Sequence, residues 1–143
     1  MKFRFLEEES FADSAFEAFG SSLSELFENC ALAAFSEMAD LSKVKKKIEK
    51  KVKIEAETAE ELLFDWLAEL VFLKDAEGVI FSEFKAVVKE KSGKFFLVAS
   101  CSGQKISEIS AENLRNDVKA VTKHYFELRK EKSGFRAKIV LDI

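Results

Sequence analysis

Two helix-capping boxes determine where helices can begin in this chain. A capping box is a Ser or Thr three residues before a Glu, and it marks a helix start when apolar residues follow at helical spacing. The pattern occurs at 22–25 and again at 58–61. The apolar residues that follow predict one helix over about 23–38 and a second over about 59–74. Most of the 143 residues therefore remain for strands and turns.

Alternation of apolar and charged residues predicts strands elsewhere, most clearly over 51–57. The predicted strands are 2–6 with 12–19 (one bent strand or two short ones), 51–57, 79–89, 95–100, 117–130 and 135–143. Turns are predicted at 91–94 and 132–134, and 102–116 is interpreted as a polar stretch between strands. The pattern predicts a single α+β domain over 1–143, with two helices packed on a mostly antiparallel or mixed sheet.

Composition argues against several classes of function. Cys30 and Cys101 are 71 positions apart, and there is one histidine, so the ligand sets of zinc fingers and zincins are missing. We interpret both cysteines as buried thiols in a reducing compartment. Isolated glycines provide no phosphate-binding loop. The longest stretch without a charged residue, Phe95–Gln104, has ten residues, which is too short for a membrane helix. A cytoplasmic location without a membrane partner is expected.

A lysine-rich segment runs from Lys43 to Lys53 in a chain whose net charge is −3. It holds seven lysines and one glutamate, which could contact RNA or an acidic partner. Because no aromatic residue alternates with these lysines, base stacking is not available within the segment. A solvated loop that enters an edge strand explains the lysines better, since lysines discourage pairing between sheet edges.

Two aspartates are candidate ligands for a metal ion. Alternation along 135–143 predicts that Asp142 lies with Val140 and Lys138, on the face opposite Ala137, Ile139, Leu141 and Ile143. Clustered oxygens bind hard cations, but Asp142 and a terminal carboxylate are too few, so another ligand must come from elsewhere. Asp13, in an apolar neighbourhood, is a second candidate. The competing explanations are a frayed polar end for Asp142 and a turn residue for Asp13.

His124 is the one histidine, and regular alternation would put it on a strand face with Ala120, Thr122 and Phe126. A partly buried, hydrogen-bonded side chain is the simplest interpretation. A histidine there could also carry a proton near neutral pH or contact a phosphate.

Several motifs together resemble the archease family, proteins that assist tRNA splicing. Ser10-Phe11-Ala12-Asp13 corresponds to the family's His-Thr-Ala-Asp, and 118–124 to its Val-Lys-Ala-(Ile/Val)-Thr-Tyr-His. The tail Leu141-Asp142-Ile143 resembles the family's hydrophobic-Asp-hydrophobic ending, and similarity extends through both predicted helices and the strand at 77–84. Two positions differ, with Ser10 in place of the histidine and Lys123 in place of the tyrosine. If the family's histidine orients a ligand, that contact is missing here.

The resemblance implies a fold, a site and a function. The site is a divalent-metal site made by Asp13, Asp142 and a terminal or main-chain oxygen of Ile143, with Ca²⁺ expected first and Mg²⁺ or Mn²⁺ as alternatives. Lys119 and His124 are implied as further functional residues. The implied function is that of a non-catalytic cofactor of the GTP-dependent RNA-splicing ligase, which promotes its guanylylation and multiple turnover and contacts RNA only indirectly.

Two alternative functions stay open. One is a chaperone or modulator of a tRNA cytosine-5 methyltransferase. The other, from a different class, is a small metal-dependent phosphoesterase that uses the same two aspartates, although such enzymes usually need more ligands.

Overall fold

The computed structural model describes residues 1–7 and 13–143. Within these ranges, helices α1 (Leu23–Met38) and α2 (Ala59–Glu77) are accompanied by seven strands. The strands are β1 (Phe3–Phe5), β2 (Asp13–Gly20), β3 (Ile48–Ala56), β4 (Val79–Lys91), β5 (Lys94–Lys105), β6 (Ala120–Glu131) and β7 (Gly134–Asp142). The predicted α+β class is confirmed. The motif residues 10–12 and the glutamates at 8 and 9 lie outside the described residues.

The strands divide between two antiparallel sheets, whereas the prediction described one sheet. The first sheet has the order β1-β2-β7-β6, and the second has the order β3-β5-β4. Each helix contacts strands of both sheets, so one core is shared between them. Its largest fully buried side chains include Phe16 of the first sheet, Phe35 and Trp66 of the helices, and Phe81 of the second sheet. Each sheet thus has an inner face against the core and an outer face away from it.

Both predicted helix starts are confirmed by their caps. The Ser22 hydroxyl accepts the Glu25 N–H at 3.1 Å, and the Thr58 hydroxyl accepts the Glu61 N–H at 3.1 Å. Helix α2 runs three residues beyond its predicted end, because Gly78 adopts a left-handed conformation with φ of 63° and caps the helix there. Neither helix in the described ranges combines the length and apolar character needed to cross a membrane.

Strand β5 continues through Lys105, so its last residues were wrongly assigned to a polar stretch. Gly103 makes the continuation possible, since a Cβ there would lie 2.0 Å from the main-chain oxygen of Ile80. The next residue, Gln104, is buried, and its side-chain oxygen accepts the N–H of Lys45 at 3.0 Å. The polar side chain of Gln104 is therefore satisfied inside the sheet rather than exposed in a loop.

Strand β6 begins at Ala120, three residues after its predicted start, because a buried lysine holds the preceding segment. Lys74 of α2 is 2% exposed. Its ammonium group donates to Asp75 and Asp117 at 2.6 Å each and to the Val118 main-chain oxygen at 2.8 Å. These bonds satisfy the buried charge and fix residues 117–118 against the helix before pairing with β7 starts.

Candidate metal centre

Asp13 and Asp142 are brought together by the pairing of β2 with β7. The two residues lie directly opposite each other in the antiparallel register, and Ala120 of β6 is opposite Asp142 on its other side. Directly opposite residues point to the same face, with Cβ atoms about 4.5–5.5 Å apart. The two carboxylates therefore share one end of the first sheet.

The carboxylates lie on the outer face of that sheet. Leu141 and Ile139 of β7 are fully buried, whereas Asp142 is half-buried, which agrees with the predicted alternation. Ile143 is half-buried and packs against the core, so its side chain contributes packing, and only its oxygens could serve as ligands.

Hydrogen bonds next to the two aspartates fix their strands in place. The hydroxyl of buried Ser14 donates to Glu37 of α1 at 3.1 Å, which holds the start of β2 against the helix. The N–H of Lys119 donates to the main-chain oxygen of Asp142 at 2.8 Å. Both aspartates are thus attached to ordered backbone on a rigid sheet.

The donor set suits a hard cation but does not complete its shell. Calcium takes about 6–8 oxygen ligands. Among residues 1–7 and 13–143, no three side chains of His, Cys, Asp or Glu cluster closely enough to form a metal site. Asp13, Asp142 and an oxygen of Ile143 would leave coordination positions for water or for a second molecule. Moreover, like charges placed directly opposite destabilise a sheet, and no ion pair in the described residues offsets either aspartate.

A bulge in β6 changes the predicted position of His124. Between Thr122 and Glu127, β6 advances five residues while β7 advances only two, from Val140 to Lys138. Three extra residues reverse the alternation, and Tyr125 adopts a positive φ of 54° within the bulge. His124 is exposed, so the interpretation as a partly buried side chain on a regular strand face is wrong.

The bulge places His124 and Tyr125 in one pocket with Asp13 and Lys138; its other lining residues are Leu6, Glu7, Ala15 and Val140. The His124 and Tyr125 rings are 4.2 Å apart, and the Lys138 ammonium lies 5.1 Å from the centre of the Tyr125 ring. This pocket offers two carboxylates (Asp13 and Glu7), a cation and an imidazole to the same ligand. Sequence reasoning did not assign Lys138 to the site, although its shared face with Asp142 was a usable signal; Tyr125 had none.

Lys119 lies apart from this pocket. Its main chain bonds to Asp142, but its exposed side chain lines a separate depression beside α2, with Phe72 and Asp75. The structure therefore brings together Asp13, Asp142 and His124, and it leaves the Lys119 side chain outside.

The lysine-rich segment enters β3, an edge strand of the second sheet, as the preferred interpretation predicted. Lys46 pairs with Glu83 at 2.7 Å and Lys47 with Glu108 at 3.6 Å, so part of the segment's charge is neutralised locally.

Both cysteines are buried and unpaired, as predicted. Burial raises the pKa of the Cys101 thiol to about 12 and that of the Cys30 thiol further. Neither thiol is a nucleophile at neutral pH, because the thiolate is the reactive form.

These features define a class of α+β protein in which two antiparallel sheets share two helices and paired carboxylates end the first sheet. The chain matches the Archease protein family over residues 3–143, and it belongs to that family. It is 41% identical to the archease of Methanothermobacter thermautotrophicus over 132 residues, which cover 92% of this chain and 93% of that protein. It is 36% identical to the archease of Methanosarcina mazei over 143 residues, covering 99% and 96%.

Solved structures support the same fold. The solution structure of protein 1598 from Methanobacterium thermoautotrophicum matches with a TM-score of 0.86 and 40% identity, over 99% of this chain and 98% of that one. The crystal structure of an archease from Thermotoga maritima, described as a possible chaperone, matches with a TM-score of 0.60 and 21% identity over 96% of both chains. At that identity the second likeness concerns the fold alone.

Proposed function

We propose that this protein is a non-catalytic cofactor of the GTP-dependent RNA-splicing ligase and promotes the ligase's guanylylation and multiple turnover. In this proposal Asp13, Asp142 and an oxygen of Ile143 hold a divalent cation, with Ca²⁺ expected first and Mg²⁺ or Mn²⁺ as alternatives. The observation that carries it is the direct pairing of Asp13 with Asp142 on an outer sheet face.

The incomplete ligand set supports a shared rather than a self-contained site. Two side-chain carboxylates are few for either calcium or magnesium, so oxygens from water, nucleotide or the ligase would fill the remaining positions. A bound divalent cation would supply positive charge to phosphate oxygens of a nucleotide. The role of Asp13 and Asp142 is to fix that charge at one end of the first sheet, where another protein's active site can reach it.

The pocket beside the pair supports a phosphate-bearing ligand. Lys138 and His124 face the same pocket as Asp13, so a nucleotide's phosphate oxygens would meet positive charge and a hydrogen-bonding imidazole there. Asp13 and Glu7 in the pocket, and Asp142 beside Asp13, would repel the same phosphates unless a cation lay between the carboxylates and the phosphates. The pocket and the acidic pair, Asp13 with Asp142, would thus complement each other when a metal and a nucleotide bind together.

The two alternative functions predict different behaviour. A phosphoesterase would act alone, and the shortage of ligands in the described residues argues against it. The archease of Thermotoga maritima is described as a possible chaperone, which is compatible with the methyltransferase-modulator hypothesis. The same ligation assay tests this hypothesis, because a methyltransferase modulator would leave RNA ligation unchanged.

The test is multiple-turnover RNA ligation by the cognate ligase with GTP, in buffers containing Ca²⁺, Mg²⁺ or Mn²⁺. We expect stimulation by the wild type and by Asp65→Asn, a matched change at an exposed aspartate on α2. Asp13→Asn and Asp142→Asn should still compete with the wild type for the ligase but should not restore guanylylation. Full stimulation by folded Asp13→Asn and Asp142→Asn would refute the proposal. Phosphodiester hydrolysis by the purified protein alone would favour the phosphoesterase.

A further inference from the structure

The outer face of the second sheet collects lysines from two strands that are distant in sequence. We define the cationic face as the outward residues from the Lys51 row to the tip of the β4–β5 hairpin. Its members are Lys51, Lys53 and Glu55 of β3, Lys94, Phe96, Val98 and Ser100 of β5, and Lys85, Val87, Lys89 and Lys91 of β4. Six lysines and one glutamate occupy this face, in a chain whose net charge is −3.

The register arranges these residues in rows across the three strands. The rows run Lys51–Ser100–Lys85, then Lys53–Val98–Val87, then Glu55–Phe96–Lys89, and end with the pair Lys94–Lys91. Lysines on β3 and β4 are two strand spacings apart, or about 10 Å, and successive outward residues along one strand are about 7 Å apart. Two lines of lysine therefore flank a central strand whose outward residues carry no charge over three successive positions.

That central strip is apolar and accessible. Val87 and Val98 face each other across β4 and β5, and each is 51% exposed. Phe96, the next outward residue of β5, is half-buried and opposite Lys89. Phe96 also lies opposite Glu55 on the other side, and Lys94 is the preceding outward residue of β5. The face therefore has an aromatic ring beside lysines, which the lysine-rich segment alone did not contain. That ring is supplied by β5, which lies about 45 residues later in the sequence.

Three of these six lysines pair with a carboxylate, and each of the three carboxylates lies just outside the defined face. Lys51 pairs with Glu49 at 3.3 Å, Lys85 with Glu83 at 3.8 Å and Lys94 with Glu57 at 3.9 Å. These are exposed pairs, which contribute little and exchange readily for other anions. In the part of the chain that the structure describes, no ion pair involves the remaining three lysines, Lys53, Lys89 and Lys91.

We propose that the cationic face binds single-stranded nucleic acid directly, with phosphates along the lysines of β3 and β4 and a base stacked on Phe96. Positive charge that follows a backbone, together with an aromatic platform, is the usual basis of single-strand binding. The proposal replaces the expectation that RNA contact is only indirect. It uses residues of the second sheet only and does not depend on the metal site of the first.

Charge and shape favour this ligand over other polyanions. A peptide of aspartates and glutamates would satisfy the lysines but has no aromatic base to stack on the half-buried Phe96 ring. A membrane surface would need more apolar area than one phenylalanine and two valines lying flat on a sheet. A duplex hides its base faces, and a three-stranded sheet without a protruding helix is poorly shaped for a groove.

The test is fluorescence anisotropy of a labelled twelve-nucleotide oligouridine RNA, with EDTA present and without ligase. The charge variant is Lys53→Gln/Lys85→Gln/Lys89→Gln, and the matched control is Lys43→Gln/Lys130→Gln/Lys132→Gln, which removes three exposed lysines elsewhere. We expect the charge variant to bind at least tenfold more weakly at low salt, while the control stays within about twofold of the wild type. The slope of log affinity against log salt should fall by roughly 2, at about 0.7 per phosphate contact.

A second variant separates base stacking from charge. Phe96→Leu keeps an apolar side chain but removes the aromatic ring, so RNA binding should weaken by roughly tenfold. Binding of inorganic polyphosphate, which has no bases, should be unchanged in Phe96→Leu and weakened in the charge variant. Thermal unfolding followed by circular dichroism checks that each variant is folded.

Several results would overturn the proposal. These are absence of RNA binding by the wild type at low salt, equal loss in the charge variant and its control, or equal RNA affinity of Phe96→Leu and wild type. Lysine-dependent binding to phosphatidylserine vesicles or to polyglutamate without binding to RNA would assign the face to a membrane or an acidic protein instead. Because ligase and metal are absent, none of these results bears on the proposed cofactor function.

Discussion

The outer faces of the two sheets collect like charges in opposite ways. On the first sheet, Asp13 and Asp142 are direct neighbours across one strand spacing. On the second, Lys51 and Lys85 are two spacings apart with Ser100 between them. Closely opposed charges repel strongly and suit a single compact counter-ion, whereas spaced charges suit an extended polyanion. The separation of like charges across a sheet thus indicates what kind of ligand the face can take.

The two faces also differ in how their residues meet. The cationic face is built largely on the β4–β5 hairpin, whose strands are adjacent in sequence, with β3 added at the edge. The Asp13–Asp142 pair requires β7 to pair with β2, so residues near both ends of the 143-residue sequence must meet. Changes to one face should therefore leave the other intact, and the following predictions test that independence.

Deleting Asp142 and Ile143 should have the largest effect on activity, and this effect should be confined to the outer face of the first sheet. We expect stimulation of ligation to fall to the level without cofactor, because the Asp142 carboxylate and the oxygens of Ile143 are both lost as ligands. Stability should fall by about 1–2 kcal/mol, since Ile143 is only half-buried. Ligation turnover and urea unfolding measure the two effects. Ile143→Ala is the control, because it loses packing but keeps Asp142; if it also abolishes stimulation, packing rather than charge is responsible.

A divalent cation should stabilise the wild type by about 2.7 kcal/mol at a hundredfold excess over Kd, which is several degrees in Tm. Asp13→Asn and Asp142→Asn should abolish this rise, and without metal they should be at least as stable as the wild type, because repulsion is relieved. The charge variant of the second sheet should show the full rise. Differential scanning calorimetry measures the Tm of the wild type, the two aspartate variants and the charge variant, each with and without the cation. Unchanged metal stabilisation in both aspartate variants would exclude the site.

Lys74→Met should destabilise the backbone segment that bonds to Asp142, although Lys74 is not itself on the outer face of the first sheet. The buried oxygen of Val118 loses its donor, at a cost of about 1–3 kcal/mol. Hydrogen exchange should accelerate at the Lys119 amide, which bonds to Asp142, and stay unchanged in β4 and β5. Lys50→Met is the control, because Lys50 pairs with Glu77 near the surface and its loss should cost less than about 1 kcal/mol. Equal acceleration across both sheets would show global destabilisation instead.

The smallest effect concerns Glu83 of β4, which with Glu49 of β3 flanks Ser102 in the row next to the cationic face. A hydrogen bond from Lys46 holds the pKa of the Glu83 carboxyl below its ordinary value. Lys46→Gln should raise that pKa, and NMR titration of the side-chain carboxyl carbon measures it, with Lys130→Gln as the control. Because the folded-state pKa is lowered, the contribution of Glu83 to stability is present at neutral pH and lost as pH falls through the folded pKa. An unchanged titration in Lys46→Gln would contradict the assigned cause.

Local signals in the sequence predicted most elements of the fold. The capping boxes at Ser22 and Thr58 mark both helix starts, since their hydrogen bonds involve residues three apart. Alternation predicted the inner and outer faces of β7. These features depend on neighbours in sequence, and neighbours are visible in a single chain.

Features set by distant contacts could not be predicted in this way. Nothing local indicates that the strands form two sheets, or that β6 contains three extra residues opposite β7. Tyr125 has no glycine-like signal for its positive φ, so the faces assigned around His124 were wrong. The meeting of Asp13 with Asp142 was implied by family resemblance, whereas periodicity alone left both residues with simpler explanations.

The central position of β7 has a consequence for the kinetics of folding. This strand follows all the others in chain order, yet it separates β2 from β6 in the first sheet. Contacts between residues far apart in sequence form slowly, because a long loop must close before they gain any stability. We therefore expect the β4–β5 hairpin to be protected early in refolding and the contact between β2 and β7 to form last. The two aspartates would come into register only at that final step. A molecule trapped before that step would lack the acidic pair, although it would already have most of its secondary structure.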